Sequence, residues 1–152
     1  MPTEPGLRAH PDDIAAIRGW FETLAALVRA RDFPSFRPMV HDDFLAFGTF
    51  SDFLVGREQA EQKQWRNVWP TISGFRFRDD IRVMVSPDRL FAVGLAIFDS
   101  TGYAEDGTPF DRPGRATVSF DRARVGDPFV ANHTHMSLFR DVPDRSFGET
   151  AA

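Results

Sequence analysis

The sequence contains no cysteine and only one tyrosine among its 152 residues. The absence of cysteine excludes a disulfide framework, a thiolate nucleophile and a zinc site with cysteine ligands. Positive charge is not in excess either, since 18 Lys and Arg stand against 22 Asp and Glu, for a net charge of −4. Nucleic acids and anionic membranes are therefore not expected as partners.

Long hydrophobic segments and several common motifs are also missing. The longest apolar run, Leu90–Phe98, is about half the length that a membrane-spanning helix needs. The first residues carry no apolar run of the kind found in a secretory signal peptide, so a cytoplasmic location is expected. The chain lacks a glycine-rich phosphate loop, a G-x-S-x-G nucleophile elbow and an H-E-x-x-H zinc motif.

Phenylalanine and tryptophan are abundant, with 16 and 3 residues respectively. Aromatic side chains supply large buried areas, so this content predicts an aromatic-walled cavity or a buried subunit interface. The length and the 42% hydrophobic content predict one globular domain. We place it at residues 7–141, between flexible tails at residues 1–6 and 142–152.

Hydrophobic spacing predicts three helices in the first half of the chain. Apolar residues recur every three or four positions over residues 11–31, which is typical of an amphipathic helix. Asp32 is suited to cap a short second helix over residues 33–40. A third helix is predicted over residues 56–69, where Pro70 ends it.

The rest of the chain reads as strands. Predicted strands are residues 43–49, 52–55, 75–85, 90–98, 115–122 and 129–140, with a turn-rich loop over residues 100–114. Helices followed by a curling antiparallel sheet indicate an α+β layer arrangement.

The last predicted strand carries the residues best suited to chemistry. Strict alternation places His133, His135 and Ser137 on one face, in line with Phe129 and Ala131. Two imidazoles and a hydroxyl that continue an apolar row predict the polar end of a cavity. Histidine suits general acid–base catalysis because its unperturbed pKa lies nearest neutrality. The alternative is that both histidines are hydrogen-bonded structural groups that join the sheet to the helices.

A His-x-His pair can also bind a metal ion. Catalytic zinc normally has three protein ligands, and iron of the facial-triad type has two histidines and a carboxylate. Asp99, at the end of the central strand, is the only attractive third ligand. Because pairs of histidines at this spacing are common by chance, we predict no metal and no cofactor.

An arginine and several aromatic residues complete the candidate site. If Arg115 points inward, it can bind a carboxylate or stabilise an enolate; otherwise it is a surface charge or forms a salt bridge to a loop acid. A one-residue change of register at the turn near Gly126 reverses its face, so both alternatives stay open. The candidate apolar walls are Trp20, Phe47, Trp65 and Trp69.

Four segments, in this order, resemble the nuclear-transport-factor-2-like (NTF2-like) superfamily, and within it the SnoaL-like, ketosteroid-isomerase-like group. They are Arg31-Asp32 at the end of the first helix, His41-Asp42-Asp43 leading into Phe47-Gly48-Thr49, Gly56-Arg57-Glu58, and Pro113-Gly114-Arg115-Ala116-Thr117 paired with His133-Thr134-His135-Met136-Ser137. The resemblance implies an α+β fold: a cone-shaped roll of a curved antiparallel sheet wrapped on three N-terminal helices. It also implies a hydrophobic pocket inside the cone and a homodimer formed through the outer face of the sheet.

The resemblance leaves the activity open, because relatives include isomerases, dehydratases, cyclases, hydrolases and non-enzymatic binders. A steroid isomerase mechanism is not expected. Phe47-Gly48-Thr49 stands where such enzymes carry their carboxylate base, and Tyr103 lies in a predicted loop.

The residues support two functional hypotheses. In the first, a cofactor-independent lyase or isomerase, similar to the dehydratase branch, acts on a small apolar oxygenated molecule. His135 transfers a proton, and His133 or Asp99 orients the His135 side chain. Arg115 or Ser137 stabilises an oxyanion. In the second, the chain is a non-catalytic domain that binds a small hydrophobic ligand or forms a dimer.

Overall fold

The first helix is α1 (Pro11–Ala30), and residues of its own sequence determine where it begins, where it ends and which face it buries. His10 caps it, since Nδ1 accepts a hydrogen bond from the backbone N–H of Asp12 at 3.1 Å. The helix ends at Arg31, whose left-handed backbone (φ 55°) turns the chain. Ile17 and Phe21 on one face are fully buried, so α1 packs that face against the sheet.

The computed structural model describes residues 9–49 and 51–149. After α1, the helical elements are α2 (Phe33–Phe36), a 3₁₀ turn (Arg37–Met39), α3 (Arg57–Ala60), a π-helical turn (Glu61–Trp65), α4 (Arg66–Val68) and a second 3₁₀ turn (Trp69–Thr71). The strands are β1 (Val40–Phe47), β2 (Phe53–Val55), β3 (Ser73–Phe77), β4 (Arg82–Val85), β5 (Phe91–Tyr103), β6 (Pro109–Asp111), β7 (Gly114–Asp121) and β8 (Val130–Leu138).

The strands form one eight-stranded sheet in the order β2-β1-β8-β7-β5-β3, with β4 and β6 also paired to β5. The α+β fold class is confirmed, but the sheet is mixed, because β1 and β8 run parallel. The strand predicted over residues 75–85 is two strands, β3 and β4. Part of the predicted 100–114 loop belongs to β5 and β6, because Thr101 to Tyr103 pair with Asp111 to Pro109.

The two faces of the sheet differ in what covers them. The inner face packs against α1 and the 57–71 helical segment, and it carries the aromatic core, including Phe98 and Phe120. The outer face is more exposed at β1 and β2, where Leu45, Phe53 and Val55 are 48%, 69% and 60% exposed.

A β-bulge in β8 decides which residues face inward. Phe120 pairs with Ala131, yet its neighbour Ser119 pairs with His133, so Asn132 is an extra residue on β8. Such a bulge reverses the alternation of side chains beyond it. Ala131 lies inward before the bulge, and Thr134 lies inward after it, where it lines a cavity.

The segment after β8 contacts the body of the domain through Ser146. Ser146 Oγ donates to the carbonyl of Thr71 at 2.6 Å and accepts from the backbone N–H of Tyr103 at 2.8 Å. Within the predicted tail from residue 142, these hydrogen bonds join Ser146 to β5 and to the second 3₁₀ turn, and the boundary at residue 141 stays a prediction. Residues 1–6 and 150–152, also predicted as tails, lie outside the described residues.

Among the described helices, none is both long enough and apolar enough to cross a membrane. The cytoplasmic location stays a prediction.

Candidate functional site

A partly enclosed cavity of about 60 Å³ lies between the inner face of the sheet and the helices. Its described lining is mostly apolar and comes from α1, α2, the 57–71 helical segment and five strands. The lining residues are Leu24, Val28, Phe36, Ala46, Phe47, Gly48, Thr49, Leu54, Gln64, Trp65, Val68, Trp69, Ile72, Phe75, Phe98, Arg112, Thr134 and Met136.

Stacked aromatic rings form one wall. Trp65 and Trp69, four residues apart on the helical segment, stack with ring centroids 5.8 Å apart and planes 20° apart. Phe36 lies edge-on to Trp65 at 4.8 Å. These contacts fix the rings, since offset and edge-on aromatic pairs are favourable beyond their buried area.

Three polar side chains, Thr49, Gln64 and Arg112, meet at one end of the cavity, and we call this set the polar corner. Thr49 Oγ1 accepts hydrogen bonds from Gln64 Nε2 at 3.3 Å and from Arg112 Nη2 at 3.4 Å. Gln64 Oε1 accepts from Ser51 Oγ at 2.7 Å. Both bonds to Thr49 are long for hydrogen bonds, so the two donors are only weakly engaged.

The π-helical turn and a neighbouring ion cluster position Gln64. Glu61, which begins the turn, is 5% exposed and accepts hydrogen bonds from Arg37 and Arg66 at 2.6 to 3.0 Å. The hydrogen bond from Arg37 is the largest cause that lowers the pKa of Glu61 to about 2. A Cβ at Gly48 would overlap Oε1 of Gln64, so the absence of a side chain there makes room for the amide. π-Helical turns of this kind are frequent at functional sites.

The predicted row of His133, His135 and Ser137 lies on the outer face. His135 is exposed and contacts Phe47, and His133 Nδ1 lies 2.8 Å from the carbonyl oxygen of Leu45. The prediction that these side chains face a cavity is wrong, because the bulge at Asn132 reverses the alternation that placed them with Ala131. Their catalytic role stays a prediction, and no cavity contact supports it.

The other predicted polar residues also lie outside the cavity. Asp99 binds Arg78 through two hydrogen bonds of 2.9 and 3.0 Å, and these are the first cause of its lowered pKa. Arg115 is exposed on the outer face, with its guanidinium 4.3 Å from the centre of the Phe139 ring. The alternative of a surface charge therefore applies to Arg115.

Two of the four predicted aromatic walls, Trp65 and Trp69, line the cavity with their rings. Phe47 borders the cavity, but its ring contacts Phe53 and the two histidines on the outer face. Trp20 does not line the cavity. It packs in the core against Phe120, and its Nε1 donates to the carbonyl of Met39 at 3.1 Å.

Sequence reasoning missed the polar corner. Gln64 could have been found, since it lies on the buried side of the third predicted helix beside Trp65 and three residues after Glu61, where a polar residue is unexpected. Arg112 and Thr49 carry no such signal. Arg112 lies in a segment that reads as a turn-rich loop, and Thr49 lies at the end of a predicted strand.

The sequence matches no protein-family model and no curated protein. Solved structures, by contrast, match the fold. An NTF2-like superfamily protein from Salmonella enterica serovar Typhimurium LT2 superposes with a TM-score of 0.71 and 13% identity, over 86% of this chain and 93% of that chain.

Two further solved structures differ in what they do. Hexachlorocyclohexane dehydrochlorinase LinA-type3 from Novosphingobium barchaimii LL02 matches with a TM-score of 0.69 and 18% identity, over 84% of this chain and 87% of that chain. The CaMKII hub from S. rosetta matches with a TM-score of 0.66 and 17% identity, over 91% of this chain and 99% of that chain. At these identities the likeness concerns the fold, and this chain has the cone fold of NTF2-like proteins, as its sequence resemblance predicted.

Proposed function

We propose that the protein binds a small, largely apolar molecule in the cavity and holds it without acid–base catalysis. The observation that carries this proposal is the lining. It combines aromatic and aliphatic walls with one polar corner, which is the usual composition of a small-molecule site. Among the described lining residues, Arg112 is the only one with an ionisable side chain.

The lining supports binding rather than proton transfer. General acid–base catalysis needs a group whose pKa lies near the working pH, within hydrogen-bond reach of the substrate. Threonine and glutamine do not supply one, and an arginine stays protonated. The two histidines lie on the other face of the sheet. The fold does not distinguish ligand binding from catalysis, since solved structures with a similar fold include a dehydrochlorinase and a hub domain.

The size of the cavity limits the ligand. About 60 Å³ is several times the roughly 10–15 Å³ that one water molecule needs, and less than half of the roughly 150 Å³ of a cavity that holds benzene. A steroid-sized molecule does not fit without movement of the walls. We therefore infer a ligand of a few heavy atoms, or a larger one that extends through the open side.

Tryptophan fluorescence tests this proposal, because Trp65 and Trp69 line the cavity. Butyramide, a neutral probe with six heavy atoms whose chain can extend through the open side of the cavity, is expected to change the emission saturably. The Met136→Phe variant, which fills the cavity, should weaken its binding by about tenfold or more, equivalent to about 1.4 kcal/mol.

His135→Phe is the matched control, since residue 135 is adjacent in sequence but lies on the outer face. It should bind the probe as the wild type does. Equal loss in both variants, or no saturable signal in the wild type, contradicts binding in the cavity.

If a substrate is identified, unchanged turnover in His135→Ala would remove this histidine from the mechanism.

We propose separately that the outer face forms a homodimer. Leu45 pairs with Val55, and Phe47 with Phe53, so that exposed apolar side chains lie together along β1 and β2. Contiguous exposed apolar surface of this kind marks interaction sites, and a second copy of the sheet can cover it.

Sedimentation at several protein concentrations tests the dimer. Phe53→Lys is expected to shift the protein toward the monomer, because a charge cannot be buried unpaired at an apolar interface. Val125→Lys, at an exposed turn residue outside the strands, should leave the dimer intact. A monomeric wild type at high micromolar concentration contradicts the proposal.

A further inference from the structure

Arg112 is a buried cation with an unusual set of contacts. Its residue surface is 3% exposed, and it follows β6 directly. Its guanidinium reaches Thr49 Oγ1 at 3.4 Å, and within the described residues no carboxylate oxygen lies within 4 Å of it. Three acids share surface clefts with Arg112 but make no ion pair with it: Asp99 is paired with Arg78 instead, and Asp111 and Asp144 are exposed.

The other buried charges of the described chain are compensated. Asp13 accepts hydrogen bonds from Arg89 and Arg122, and Glu61 from Arg37 and Arg66. Burying an ionised group is costly unless it is paired. Arg112 is therefore the exception in an otherwise balanced set of buried ions.

Burial also affects the pKa of Arg112. Loss of solvation lowers the pKa of Arg112 to about 10, and no neighbouring charge opposes this effect. The side chain still carries its proton at neutral pH. The cavity therefore contains a positive charge that an anion entering it would neutralise.

The neighbouring donors favour an anion with two acceptor atoms. A guanidinium presents several N–H donors in one plane, which suits the two oxygens of a carboxylate. Gln64 Nε2 and the Thr49 hydroxyl adjoin it, and the two long bonds to Thr49 Oγ1 leave both donors with capacity for a ligand. One charge among apolar walls matches a monoanion with an apolar tail better than a phosphate dianion.

We propose that Arg112 is the anion-binding residue of the cavity, and that the ligand is a small carboxylate whose tail lies against the aromatic wall. This inference rests on the proposed ligand-binding function and names its ligand class. Thr49 and Gln64 complete the carboxylate contacts, and Trp65 and Trp69 contact the tail.

Butyrate and butyramide test the inference, because they have nearly the same shape and differ in charge. At pH 7 and fixed ionic strength, tryptophan fluorescence of the wild type should show tighter binding of butyrate by about tenfold to hundredfold. This range corresponds to the roughly 1.5–3 kcal/mol of a hydrogen bond to a charged group. Arg112→Met should abolish this preference, and Arg112→Lys should retain part of it.

Arg115→Met is the control for overall charge, since Arg115 lies on the outer face, and it should keep the preference for butyrate. Equal binding of butyrate and butyramide by the wild type overturns the inference without any variant. A preference that persists in Arg112→Met also overturns it. In either case, saturable butyramide binding shows that the proposed ligand-binding function stands. If neither probe binds the wild type, the proposed function fails as well.

Discussion

The Asp13→Asn variant is expected to lose about 3–5 kcal/mol of its free energy of unfolding, the usual cost of removing one partner from a buried ion pair. Asp13 is 1% exposed and binds Arg89 at 2.7 and 3.1 Å and Arg122 at 2.9 Å. The Arg122 side chain is itself only 4% exposed. An amide at position 13 therefore leaves a buried guanidinium without a counter-charge. Urea unfolding at pH 7, followed by circular dichroism, measures the loss.

Asp80→Asn is the matched control, because the Asp80–Arg82 pair is 2.8 Å long but both side chains are more than 70% exposed. Exposed ion pairs contribute little, so this variant should unfold at nearly the wild-type urea concentration. Similar losses in both variants would show that the contribution of the Asp13 ion pairs to the free energy of unfolding does not depend on their burial. The carboxyl of Asp13 has a lowered pKa, caused first by the hydrogen bond from Arg89, so its contribution is present at neutral pH and is lost in acid.

The elements of the fold that depend on local signals could be predicted. The period of apolar residues gives α1, and Asp32 caps α2 as expected, with its side chain accepting from the backbone N–H of Ser35. Trp65 and Trp69 share one face of their helical segment because they lie four residues apart. Each of these inferences needs only neighbours within one or two helical turns.

The faces of β8 could not be predicted, because they depend on a pairing between distant strands. Alternation from Ala131 would put His133 on the same face, and it does so in any regular strand. The extra residue, Asn132, donates to Asp121 Oδ2 at 2.9 Å and is hydrogen-bonded to Ser119 on the neighbouring strand. These contacts stabilise the bulge, and they exist only once β7 lies beside β8. Because of this one extra residue, the candidate catalytic histidines lie on the outer face and not in the cavity.

The polar corner needed the tertiary structure for another reason. Its members come from the loop after β1, the π-helical turn and the residue after β6, and their side chains meet only when the sheet curves around the helices. Sequence distance gives no hint of the contact between Thr49 and Arg112, which lie 63 positions apart. Composition, by contrast, predicted an aromatic-walled cavity or a buried subunit interface, since that inference depends only on how many large rings the chain must bury.

Glu61 gives the second large expected effect, and it depends on pH. The pKa of its carboxyl lies at about 2 in the folded protein against an ordinary value of 4.5. Since one pKa unit equals about 1.4 kcal/mol, the carboxylate contributes about 3 kcal/mol to the free energy of unfolding at neutral pH. This contribution is complete above pH 4.5 and is lost as the pH falls from 4.5 toward 2, because the unfolded chain takes up the proton first.

Glu61→Gln should therefore be less stable than the wild type by about 3 kcal/mol at pH 7, and the difference should shrink as the pH falls from 4.5 toward 2. Urea unfolding at a series of pH values measures it. Glu58→Gln, at an exposed carboxylate on the same helical segment, should follow the wild type throughout. If the free energies of unfolding of Glu61→Gln and the wild type differ by the same amount at every pH, the ion cluster of Arg37, Glu61 and Arg66 is not the source of the difference. Because Glu61 also begins the turn that carries Gln64, the variant should bind butyramide more weakly at pH 7, which links the stability of this cluster to the geometry of the polar corner.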